Sequence, residues 1–186
     1  HLTGAERRKL AKRGTDDPRA HESYLRGRFY WNQFTSQSFP KALEAFRKAI
    51  DIDPDYALAY VGIADFYIWA NIYGLIPVSE SYKQAQAAAS RALEIDSNLG
   101  EAHASMGLIA LNQYKFEEAD RHFRESIALS PNYSHSYEWY SALLIGNGEF
   151  SRGIEAMARA EKIDPLSLRT KTLAAWNFYQ TGNFDK

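Results

Sequence analysis

The feature that most limits how this chain can fold is a recurrence of 34 residues. Residues 100–133 are followed without a gap by 134–167, and the two stretches agree position by position. Position 8 holds Gly107 and Ser141, position 17 Phe116 and Phe150, position 20 Ala119 and Gly153, position 24 Phe123 and Met157, and position 27 Ser126 and Ala160. Small residues at 8, 20 and 27 let two helices and the following unit approach closely, while the large ones at 7, 17 and 24 fill the spaces between. Each unit closes on a phrase through which a helix cannot run: Ile52-Asp53-Pro54, Leu129-Ser130-Pro131 and Ile163-Asp164-Pro165, with Asp96-Ser97-Asn98 in the same place in a fourth. A proline there lacks the N–H and restricts its predecessor.

The period, the paired helices and the register of small and large residues resemble the tetratricopeptide repeat. The resemblance covers about residues 20–186. It implies an all-α fold, a right-handed superhelical solenoid of antiparallel helix pairs, with units at about 20–56, 57–99, 100–133 and 134–167 and an incomplete one at 168–186. Residues 1–19 precede the array as a basic linker or short helix, in which Arg7, Arg8, Lys9, Lys12 and Arg13 read as a solvated face or as an anion contact. Thr15-Asp16-Asp17-Pro18 reads as a turn and helix start.

Two units depart from the pattern. In 57–99 the ends are regular, with Tyr60, Ile63, Ala64 and Tyr67 at positions 4, 7, 8 and 11, and Ala85, Ala89 and Ala92 at 20, 24 and 27. Between them lie nine extra residues around 71–79, read as an extension of the first helix plus a loop, with Ser79 capping the second. Leu75, Ile76 and Val78 either fold back on the neighbouring unit or form a hydrophobic finger. The first unit has Ala42, Phe46 and Ala49 at 20, 24 and 27, and Gly27 is placed at position 8. Its phrase Tyr-Leu-x-Gly-Arg-x-x-Trp-Asn at 24–32 is similar to repeat regions of large bacterial signalling proteins with a kinase, cyclase or winged-helix output domain. In the last unit Ala175, Phe178, Gly182 and Phe184 fall at 8, 11, 15 and 17 before the sequence stops, so Leu173, Ala174 and Phe178 are expected to be poorly covered.

Composition narrows the class of function. A net charge of -1 argues against unspecific attraction to nucleic acid or anionic membrane. No apolar run approaches the ~20 residues of a membrane span, and the chain has no cysteine for disulfides or thiolate metal sites. His1, His21, His103, His122 and His135 form no pair at metal-ligand spacing, and the glycine, serine and His-Glu motifs of common enzymes are missing. His103, at packing position 4, reads as a half-buried core residue. Glu117-Glu118 reads as helix N-terminal charge. No enzymatic activity and no cofactor are expected, and the setting expected is cytoplasmic, or extracytoplasmic if the repeats belong to a membrane-anchored signalling protein.

The tetratricopeptide resemblance also implies where a partner sits. First helices line a concave face, and positions 2, 5, 9, 12 and 13 point into it. These are Leu58, Val61, Asp65, Ile68 and Trp69, then Glu101, Ala104, Leu108, Leu111 and Asn112, then His135, Glu138, Ala142, Ile145 and Gly146, and finally Arg169, Thr172, Trp176, Tyr179 and Gln180. Relatives that clamp a C-terminal carboxylate place Lys, Arg and Asn at 2, 5, 6 and 9, whereas these positions are mainly apolar or acidic here. The expectation is a groove for an amphipathic or basic peptide, with Trp69 and Trp176 read equally as groove or as core. The alternatives are an oligomerisation module, self-associating through the incomplete last repeat, and the sensor region of a signalling protein whose enzymatic or DNA-binding domain lies elsewhere.

Overall fold

A computed structural model describes residues 14–33 and 35–180. The basic segment at 7–13, and Gly182 and Phe184, lie outside the described residues, as do the side chains of Ile72, Phe178 and Gln180. The described residues form helices α1 (Pro18–Asn32), α2 (Ser38–Ile52), α3 (Ala57–Ile72), α4 (Val78–Ile95), α5 (Gly100–Asn112), α6 (Phe116–Leu129), α7 (Ser134–Gly146), α8 (Phe150–Ile163) and α9 (Leu168–Gln180). No strand occurs among them. They divide into two compact units between Ser105 and Met106, within α5.

Local chemistry sets the helix ends. Asp17 caps α1, its carboxylate accepting the Arg19 N–H at 2.8 Å, and Pro18 takes the first turn, where its missing N–H is not needed. The Arg19 side chain bonds the same carboxylate and holds it well below the usual range, at about 2. The first helices of three pairs end alike. A residue at positive φ (Gly74 at 68°, Tyr114 at 60°, Gly148 at 81°) turns the chain, and the next N–H reaches back five residues: Leu75 to Ala70 O, Lys115 to Ala110 O and Glu149 to Leu144 O, at 2.8–2.9 Å. Two of these residues are glycines, which have no Cβ to strain; Tyr114 does.

The second helices end on Asp53, Asp96, Ser130 and Asp164. Asp53 and Asp96 each accept the N–H two residues on, at 3.1 Å. One position further, the carbonyl is taken up by the residue at position 4 of the next helix. Tyr60 Oη donates to Pro54 O at 3.1 Å, Tyr137 Oη donates to Pro131 O at 3.2 Å, and His103 Nε2 lies 3.3 Å from Ser97 O. The half-buried His103 thus serves the same tie as the two tyrosines, joining the end of one repeat to the start of the next.

In the first unit the core gathers Trp31, Phe39, Ala42, Phe46, Phe66 and Ala70. Phe46 lies against two backbones: a Cβ on Gly27 or on Gly62 would fall 2.5 or 2.6 Å from its ring. Gly107 meets Phe123 in the same way at 2.7 Å in the second unit, so Gly27 makes the contact of position 8 with position 24. Burying such a ring contributes about 1.5–3 kcal/mol, and the glycines let it approach the helix backbone. In the second unit Met157, Ala160 and Ala174 form a smaller cluster with Tyr137 and Leu173 against it.

The nine extra residues are shared out differently from the sequence reading. Three lengthen α3 (16 residues against 13 in α5), four lengthen α4 (18 against 14 in α6), and two lengthen the connection. The expected Ser79 cap is corrected: α4 begins at Val78 after Pro77, with no side-chain cap, and Ser79 lies inside the helix. Ser81, fully buried and two residues further on, instead donates to Tyr67 O and ties α4 to α3. Of the apolar tip, Ile76 packs on the Phe46 cluster, while Leu75 and Val78 are exposed.

Candidate binding surface

In the first unit the stripe splits by depth. Val61, Asp65 and Ile68 are buried, Leu58 and Trp69 are half-buried against the core clusters, and Glu101 is half-buried on α5. Asp65 accepts a hydrogen bond from the buried Ser105 Oγ at 2.7 Å, so this carboxylate is engaged within the array. Trp69 packs beside Phe66 and Ala70, with its ring 6.5 Å from that of Tyr73.

In the second unit Leu108 is buried and Leu111 and Asn112 are half-buried. His135 stacks on Tyr133, ring centroids 5.1 Å apart at 13°, and makes a T-shaped contact with Trp139 at 5.5 Å. Glu138 is 2% exposed and ties α7 to α9: Thr170 Oγ1 donates to one carboxylate oxygen and the Arg169 guanidinium to the other. Two stripe residues, Glu138 and Arg169, are thereby joined in one ion pair. Nearby, Ser141 Oγ donates to Gly153 O at 2.7 Å and accepts from Asn177 Nδ2 at 2.9 Å, a buried relay across α7, α8 and α9.

Trp176 and Tyr179 behave otherwise. They are 56% and 64% exposed, and their rings stack at 5.8 Å and 28°. The expectation that Leu173 and Ala174 would be poorly covered is corrected: Ala174 is buried and Leu173 half-buried, because α9 turns that face onto Met157 and Ala160 of α8. Leu166, in the connection before α9, and Leu168, its first residue, are exposed. Among the described residues no three His, Asp or Glu side chains converge to hold a metal, and no helix is long and apolar enough to cross a membrane.

The stripe expected from the repeat resemblance did not include its polar ties. Ser105, Thr170 and Asn177 carry no functional signal of their own. What marks them is their place in the register, at positions 6, 3 and 10, where a small polar side chain meets the preceding repeat.

No protein-family profile matches the chain. The transcriptional regulator HilA of Salmonella typhimurium is 24% identical over 160 residues, which cover 86% of this chain and 29% of HilA. Superkiller protein 3 of Schizosaccharomyces pombe is 23% identical over 125 residues, 67% of this chain and 9% of that protein. The chain spans less than a third of the length of the curated relatives it matches. Among solved structures, a thermophilic TPR protein of Thermus thermophilus superposes with a TM-score of 0.68 at 16% identity, covering 92% of this chain and 87% of that one. PilF of Pseudomonas aeruginosa gives 0.60 at 19% identity, covering 88% and 69%. With consecutive helices packed in pairs, the small-against-large contacts recurring in register and these superpositions in agreement, the chain has the tetratricopeptide-repeat fold.

Proposed function

We propose that this chain is a protein-interaction module that holds an extended, amphipathic or basic segment of a protein partner against the first helices of its repeats, as one region of a larger regulatory protein. The observation that carries the reading is the exposed stack of Trp176 on Tyr179 at stripe positions 9 and 12. Two large rings in solvent, braced against each other, offer rigid contact area at little entropic cost. Repeat folds present such stripes as extended binding surfaces. The likeness to HilA, a transcriptional regulator matched over less than a third of its length, supports placing the chain within a larger regulator. No residue is assigned a catalytic role.

The test is selection of basic amphipathic 12-residue peptides from a display library against the intact chain. A selected binder should lose at least about tenfold in affinity with Trp176→Ala, the scale of an interface hot spot, while the helical circular dichroism signal is kept. Equal affinity for the wild type, Trp176→Ala and Tyr179→Ala would sink the reading. Exposed Leu166 and Leu168 favour a second role, self-association; sedimentation at several concentrations, with Leu168→Glu as the comparison, separates the two.

A further inference from the structure

The pair α1 and α2 encloses a cleft of about 310 Å³ that none of the roles assigned above uses. From α1 it is lined by Ser23, Arg26 and Tyr30, and from α2 by Lys41, Glu44, Ala45 and Lys48. Both sets follow the helical spacing of i, i+3 and i+7, so each is a continuous stripe and the two stripes face each other. Ser23 and Ala45 are small and buried, which gives the cleft its depth. The cations stand at its rim: Arg26, Lys41 and Lys48 are all exposed, and Lys41 Nζ lies 5.7 Å from the centroid of the Tyr30 ring. Arg26 makes a loose ion pair, 4.0 Å to Glu22.

Three cations against Glu44 in the lining and Glu22 beside Arg26 leave the cleft with one positive charge in excess, in a chain whose net charge is -1. We propose that this cleft docks an acidic segment of a protein partner, its Asp or Glu carboxylates pairing with Arg26, Lys41 and Lys48 and its aliphatic stems resting on Tyr30 and Ala45. Glu44 stands between the two lysines and disfavours a phosphate dianion or a nucleic-acid backbone, whereas separate single charges fit around it. The volume accommodates one or two side chains, so the site reads a short acidic run. This surface lies in the first unit, and its charge preference is opposite to that proposed for the aromatic stripe.

The experiment is fluorescence anisotropy of a fluorescein-labelled hexaglutamate peptide with the intact chain. Saturable binding is expected, weakening as salt rises from ~50 to ~500 mM, because the pairs are exposed. Lys41→Glu with Lys48→Glu should weaken it by about tenfold or more, and the milder Lys41→Gln with Lys48→Gln by several fold, with helicity unchanged. Arg121→Glu, an exposed charge reversal on α6, should leave binding within about twofold, and Trp176→Ala should not affect it. Absence of binding, an equal loss in Arg121→Glu, or equal binding of hexalysine overturns the proposal. Displacement by inorganic phosphate at the same concentration as by unlabelled hexaglutamate overturns it too, since the ligand would then be an anion and not a peptide.

Discussion

Replacing Gly107 by alanine tests whether the recurring contact of position 8 with position 24 shapes the repeat. Gly107 lies in the middle of α5, where alanine is worth about 1 kcal/mol more than glycine by helix propensity alone. The added Cβ would stand 2.7 Å from two carbons of the Phe123 ring and 3.1 Å from a third. Ordinary carbon contacts are about 3.5–4.0 Å, so the ring must retreat by roughly 1 Å. Phe123 is fully buried and its ring lies 6.0 Å from that of Tyr140, so it has little room to move. Overpacking of this kind costs about 1–3 kcal/mol, and the net effect of Gly107→Ala is a loss of about 1 kcal/mol. Gly146, the last residue of α7, is the control: a Cβ added there would meet nothing within 4 Å, so Gly146→Ala should gain up to about 1 kcal/mol. Urea unfolding followed at 222 nm reads both, and Phe123→Leu should recover most of the loss in Gly107→Ala. If Gly107→Ala raises the midpoint as Gly146→Ala does, the ring does not press on the helix backbone and the packing argument fails.

Three further outcomes are expected. Tyr114 adopts φ 60° while 81% exposed, so Tyr114→Gly should stabilise by about 1 kcal/mol in the same urea assay, whereas Gly148→Ala at φ 81° should destabilise by a similar amount. Glu138→Ala leaves Arg169 and Thr170 without their shared acceptor and should cost about 2–3 kcal/mol, a figure kept moderate because the Arg169 side chain is 19% exposed; amide exchange should quicken first in α9. Asp17 has its pKa lowered to about 2 in the folded state, so its contribution is present above the ordinary carboxylate value of ~3.9 and is lost as pH falls through 2. Asp17→Asn should therefore flatten that part of the acid-unfolding curve and leave the curve above pH ~5 parallel to wild type.

Much of the repeat was legible because its signals are local. The phrases ending in Pro54, Pro131 and Pro165 stop helices by backbone chemistry, and Asp17-Pro18 starts one, so these boundaries need no distant partner. The small residues at position 8 could be placed even in the irregular first unit, where Gly27 meets Phe46 as Gly107 meets Phe123. The inserted stretch was less legible. A serine near a helix start looks like a cap, but Ser79 lies inside α4, and the buried Ser81 reaches the backbone of α3 instead.

For the candidate surface, the sequence by itself determined which residues share a stripe, since helical periodicity follows from spacing alone. Only the tertiary structure decided which of them remain available. Asp65 and Glu138 both occupy stripe positions, yet Ser105 takes up the first and Thr170 with Arg169 the second, each from the following repeat. Trp69 and Trp176 look alike in register; one packs beside Phe66 and the other stands in solvent against Tyr179. The difference is set by the side chains packed around each ring: Trp69 lies against the cluster of Trp31, Phe39, Phe46 and Phe66, whereas Trp176 is 56% exposed, and such packing depends on neighbours distant in sequence rather than on the residue itself.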